Sequence, residues 1–192
     1  MKKLYKLLSL ALAFCVMVAV LPPLSGVRAE VIQRYELDTD GIDTDGVYLI
    51  VSANTGNAYA LRRNSTSIAS QSVTVNVDAD GVRYIAAGFS NESNCQMAFS
   101  GTASGRVTNG NYRLNMSQST PNFSTSASNT LSFTNNGNGQ YRITYSTSSW
   151  FGRTYYLRYN NGWGRSTTTS SVYLFKLTTR VVSYSVTYSG NG

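Results

Sequence analysis

The chain has 192 residues, a length that suits one domain, and carries 16 Lys and Arg against 9 Asp and Glu for a formal net charge of +7. It has no histidine and only two cysteines, Cys15 and Cys95, which excludes Ser-His-Asp and Cys-His catalysis, histidine-ligated zinc, imidazole pH switching and a disulfide framework. Abundant tyrosine (14) and glycine (16), with charged residues at only 13%, make up a chain of strands joined by polar turns.

Residues 1–29 read as a secretion signal. Lys2, Lys3 and Lys6 precede an apolar run from Leu7 to Leu21, and Val27-Arg28-Ala29 places small residues before a cleavage point. The run is shorter than the roughly 20 residues that span a bilayer, so no transmembrane segment is expected once the signal is cut. Loss of these four cations leaves a net charge of about +3, too little to imply nucleic acid as a partner. All 9 acidic residues lie before position 93, whereas Arg106, Arg113, Arg142, Arg153, Arg158, Arg165, Lys176 and Arg180 follow it.

Residues 30–45 form an acidic, turn-rich lead-in. Its tandem Asp38-Thr39-Asp40-Gly41 and Asp43-Thr44-Asp45-Gly46 reads as a double Asp-Gly turn. The alternative is a calcium loop, but Leu49 stands where an EF-hand requires glutamate, so no metal ligand is assigned. Asp78-Ala79-Asp80-Gly81 reads in the same way, as a hairpin connection.

From Gly46 onward the chain alternates with period two. Gly46-Val47-Tyr48-Leu49-Ile50, Gly110-Asn111-Tyr112-Arg113-Leu114 and Gly139-Gln140-Tyr141-Arg142-Ile143 repeat Gly-x-Tyr-x-Leu/Ile, each a strand following a glycine turn. Asn109-Gly110 and Asn136-Gly137 mark hairpin reversals. Further strands are expected over 58–62, 72–77, 82–87, 96–99, 155–159 and 172–177, while the Ser- and Thr-rich stretches 118–129 and 166–171 read as solvated loops. No segment after the signal has sustained helical periodicity. About ten to twelve short strands in this length predict an all-β domain over residues 46–178, a β-trefoil-like closed barrel with a two-sheet sandwich as the alternative. Cys95 is expected to be buried as a small apolar residue. Residues 179–192 read as a linker and the truncated start of a following module.

No catalytic residue and no cofactor are expected. Asp78, Asp80 and Glu92 sit in turns where solvent keeps carboxyl groups ordinary, and Lys176, the only lysine after the signal, lies in an apolar strand, unsuited to activate a serine. The chemistry concentrates instead in Trp150-Phe151-Gly152-Arg153-Thr154-Tyr155-Tyr156 and Tyr159-Asn160-Asn161-Gly162-Trp163-Gly164-Arg165. Flat rings cover sugar faces, and amide and guanidinium groups bind hydroxyls or acidic groups. Trp150, Arg158, Asn160, Trp163 and Arg165 are therefore the candidate ligand-binding residues. The competing reading makes Tyr156, Leu157 and Tyr159 core and cross-strand pairs, with Trp163 capping the barrel end.

Tyr48-Leu49-Ile50-Val51-Ser52, Tyr156-Leu157-Arg158-Tyr159-Asn160 and Val172-Tyr173-Leu174-Phe175-Lys176-Leu177 resemble strands of uncharacterised β-rich, trefoil-like domains in secreted gut-bacterial surface proteins. Tyr184-Ser185-Val186-Thr187-Tyr188-Ser189-Gly190-Asn191-Gly192 resembles the first strand of an internalin-type (Listeria-Bacteroides) repeat. The resemblance implies a secreted or surface-displayed bacterial protein continuing beyond residue 192, and assigns no catalytic residues. The Gln-x-Trp of ricin-type trefoil lectins is absent. Together these readings predict a binding module for carbohydrate, with a preference for anionic glycan or cell-surface polymer, or alternatively an adhesin spacer without a small ligand.

Overall fold

The computed structural model describes residues 25–148 and 152–187. Most of the expected signal, together with Trp150 and residues 188–192 of the expected repeat module, lies outside them. The protein is an all-β closed barrel with further strands laid against it.

Six strands close the barrel: β1 (Ser25–Leu37), β2 (Tyr48–Val51), β3 (Gly56–Asn64), β4 (Ser67–Val77), β5 (Arg83–Ala86) and, numbered ahead to its place in the chain, β15 (Val172–Thr187). The pairings run β15 to β2, β2 to β3, β3 to β4, β4 to β5, β5 to β1 and back to β15. A face-to-face sandwich would leave that circuit open. Alternation fills its interior: Tyr35, Leu49, Val51, Ala58, Ala60, Val73, Val75, Ile85 and Phe175 form one buried cluster. One helical turn, α1 (Glu92–Cys95), adds Cys95 to this cluster. The Tyr35 hydroxyl donates to Glu92 Oε1 at 2.5 Å and accepts from Gln96 Nε2 at 2.8 Å.

The remaining strands are β6 (Ala98–Phe99), β7 (Ser104–Gly105), β8 (Val107–Asn109), β9 (Tyr112–Asn115), β10 (Asn122–Ser124), β11 (Leu131–Asn135), β12 (Gln140–Ser146), β13 (Thr154–Tyr159) and β14 (Trp163–Ser166). Their inward residues, including Phe99, Val107, Leu114, Phe123, Phe133, Ile143 and Leu157, build a second cluster. Strand β2 serves both cores, because Tyr48 and Ile50 join the second cluster while Leu49 and Val51 point into the barrel. That is why Tyr48 to Val51 are all fully buried.

Three expectations are corrected. Much of the acidic lead-in is a stave rather than a tether: Tyr35 is fully buried, and Arg34, Tyr35 and Glu36 pair with β5. Gln33–Arg180 accordingly forms one compact unit, and residues 25–32 and 181–187 belong to another, in which Val31, Val181 and Tyr184 are exposed. The stretch 118–129 is not all loop, since Phe123 anchors β10 against β9 with no exposed surface. Finally, the first Asn-Gly reversal sits one residue later than expected. Asn109 pairs with Tyr112, so Gly110 and Asn111 make the turn, and Gly110 takes the positive φ of 58° that glycine adopts without strain.

Carboxylates in the expected turns hold local backbone. Asp38 Oδ1 accepts from the Asp40 and Gly41 N–H groups, and Asp43 Oδ1 accepts from Asp45 N–H while its Oδ2 pairs with Lys176 at 3.0 Å. Asp78 accepts from Asp80 and Val82 N–H across the β4–β5 hairpin and also pairs with Arg34 at 2.5 Å.

Candidate binding groove

The β13–β14 hairpin separates the expected site residues between its two faces. Tyr159 pairs with Trp163 and Leu157 with Arg165, whereas Arg158 pairs with Gly164. Cross-strand partners share a face, and the face alternates along each strand. Trp163 and Arg165 therefore point inward and Arg158 points outward.

Trp163 is 8% exposed, belongs to the second core and meets the Tyr159 ring edge-on at 5.4 Å. Arg165 lies over the Tyr155 ring at 3.8 Å and donates from Nη1 to the carbonyls of Met116 at 2.7 Å and Ser117 at 3.1 Å. These contacts make it a clamp on the segment after β9. Asn160 is exposed in the turn, and Arg158 is half-buried with no ion pair among the described residues. The hairpin therefore does not gather the expected residues into one site.

A cavity of about 440 Å³ opens instead beside the β8–β9 hairpin, bordered by Arg63, Asn94, Gln96, Asn109, Asn111 and Tyr112. Arg63 projects from β3, whose two-residue turn at Ser65 and Thr66 delivers it there. Its guanidinium lies over the Tyr112 ring at 4.4 Å. Nε donates to Asn109 Oδ1 at 2.6 Å, Nη1 to Ser65 O at 3.1 Å, and Nη2 to Asn94 Oδ1 at 3.4 Å. Asn109 is in turn fixed, 5% exposed, by donating to Ser93 O at 2.8 Å and Gln96 O at 2.7 Å.

The arrangement is a preorganised polar ring. A locked guanidinium keeps further donors for a ligand, amide groups supply both donors and acceptors, and Tyr112 contributes a flat apolar wall. No carboxylate among the described residues borders the cavity. Asn111 and Gly110 are exposed at its rim, and a Cβ added to Gly110 would meet nothing within 4 Å, so a ligand has open access to the turn backbone.

Sequence reading marked Tyr112 as one of three equivalent repeats, yet the three tyrosines do different things. Tyr48 is fully buried and its hydroxyl accepts from Asp43 N–H at 2.7 Å. Tyr141 is buried and its hydroxyl accepts from Asn135 Nδ2 at 3.2 Å. Only Tyr112 of the three is half-buried. The available signal was the run Asn109-Gly110-Asn111-Tyr112, which places amides and a ring around one tight turn. Arg63 and Asn94 come from distant sequence and gave no such sign.

No known protein family, curated protein or solved structure matches the chain.

Proposed function

We propose that this chain is a secreted or surface-displayed carbohydrate-binding module that takes glycan in the groove formed by Arg63, Asn94, Asn109, Asn111 and Tyr112. What carries the reading is the locked Arg63–Tyr112 pair in a carboxylate-free, amide-bordered cavity. Sugars present hydroxyls in pairs and apolar ring faces, which match forked donors and an aromatic wall. The N-terminal pattern of basic residues, apolar run and small-residue cleavage point supports export. No helix among the described residues is long and apolar enough to cross a membrane.

Glycan-array binding followed by titration of the best neutral hit tests this. Tyr112→Ala and Asn111→Ala are expected to weaken that binding about tenfold or more, with Asn111→Ala leaving the melting temperature unchanged because Asn111 is an exposed turn residue. Arrays without a hit, or unchanged binding in both variants, favour the spacer reading, which draws on the use of Trp163 and Arg165 in packing.

A further inference from the structure

A second cavity, of about 560 Å³, is bordered by Ser100, Arg106, Thr108, Arg113 and Thr125. Thr108, Gly110 and Asn111 border both cavities, so the two lie on either side of a single turn. Thr108 pairs with Arg113, and alternation along the chain puts Arg106 on the same face as Thr108. Arg106 and Arg113 therefore occupy diagonal positions, with Cα atoms roughly 7 to 8 Å apart.

Both guanidinium groups border one cavity, and no carboxylate among the described residues borders it to compensate their like charge. Arg113 is steadied by donating from Nη1 to Ala127 O at 3.0 Å. Arg106 is exposed and has no side-chain partner among the described residues. The hydroxyls of Ser100, Thr108 and Thr125 surround the pair, and Ser100 Oγ is fixed by accepting from Arg106 N–H at 2.8 Å.

We infer that Arg106 and Arg113 form a subsite for an acidic group, carboxylate or sulfate, carried by a glycan whose adjoining sugar lies in the Arg63–Tyr112 groove. This rests on the reading of that groove as a glycan site and specifies its substrate class as acidic polysaccharide. Each guanidinium presents a planar fork to a carboxylate or sulfate, and the hydroxyls of Ser100 and Thr125 supply donors to the oxygens that the arginines leave uncovered. Asn111, on the rim of both cavities, bridges the charged and neutral parts of the ligand.

The test is titration of the full chain with dextran sulfate, polygalacturonate and unmodified dextran at low and physiological salt, for the parent, Arg106→Gln, Arg106→Gln/Arg113→Gln and Tyr112→Ala. The parent is expected to bind at least one acidic polymer and to bind dextran weakly, and the sulfate and carboxylate arms identify which acid it prefers. Arg106→Gln is expected to lose about tenfold in affinity for that polymer, the worth of one charge-assisted contact, and to show a shallower salt dependence. A matching melting temperature separates this from unfolding, and exposed Arg106 makes it attainable. Any neutral-glycan binding is expected to persist in Arg106→Gln while falling in Tyr112→Ala. Unchanged binding of both acidic polymers in the double arginine variant overturns the subsite, as does tighter binding to single-stranded DNA than to either polymer. If acidic binding depends on Arg106 but not on Tyr112, the charged subsite stands and the groove reading fails.

Discussion

The two cores of this protein are filled by different means. Inside the barrel, every stave contributes alternate residues and the large rings of Tyr35 and Phe175 share the space with Ala58 and Ala60. The second core draws on eight of the nine short strands together with β2, β3 and β15, and uses Met97, Met116, Phe99, Phe123, Phe133, Tyr141 and Trp163. A closed ring fixes its own diameter, so its contents must match a preset volume. An open layer adapts to whatever side chains arrive, and flexible methionine fills its irregular gaps.

The largest expected effect comes from emptying the barrel. Phe175→Ala should destabilise by about 3–5 kcal/mol, read as a shift in the urea midpoint with the slope unchanged. Overfilling by the same methylene separates the regions more sharply: Val75→Ile should cost about 1–3 kcal/mol by crowding the closed ring, whereas Val107→Ile in the second core should cost less, because flexible methionine neighbours give way. Equal costs would abolish the distinction between a fixed and an adaptable core.

The smallest effect concerns the charges that bind the staves together. Glu36 Oε1 accepts from Arg34 Nε at 2.7 Å and from Arg180 Nε at 2.6 Å, joining β1 and β15. Burial pushes the Glu36 carboxyl up, but the Arg180 and Arg34 guanidinium groups outweigh it and leave the group below its ordinary value. Folded Glu36 thus holds its proton less tightly than in the unfolded chain. Its contribution is complete above the ordinary carboxylate range and is lost as pH falls through the folded value. Glu36→Gln should therefore lower the melting temperature at pH 7, and the gap from the parent should narrow toward pH 3. A gap that holds constant over that interval would remove the ion pairs from the account of barrel closure.

The same contrast explains what could be read before folding. Strand β2 is legible as a short apolar run and β3 and β4 by alternation, and Asp78-Ala79-Asp80-Gly81 forms the expected hairpin connection. Tyr35 was hidden because Glu36, Asp38 and Asp40 around it look solvated, although Glu36 and Asp38 are held by partners that lie elsewhere in the chain or turn. Phe123 was hidden among serines and threonines, where one ring is enough to fix a three-residue strand. At the candidate site, rings and cations near turns pointed to Trp163 and Arg165, but inward register converted both to packing. The groove was illegible for the opposite reason: Arg63, Asn94 and Tyr112 become neighbours only through pairing across the fold.

Closure of the ring also sets the order of assembly. The β3–β4 hairpin needs only a two-residue turn, and local contacts of this kind form early. The seam between β1 and β15 is different: Asp38 N–H donates to Leu174 O, and Thr178 Oγ1 donates to Arg34 O across 144 positions of sequence. Bringing such distant segments together carries a loop-closure entropy that nearby contacts avoid. Phe175 enters the ring with its last stave in chain order, opposite Leu49, so the interior stays open to water until residues 172–177 have paired with β2.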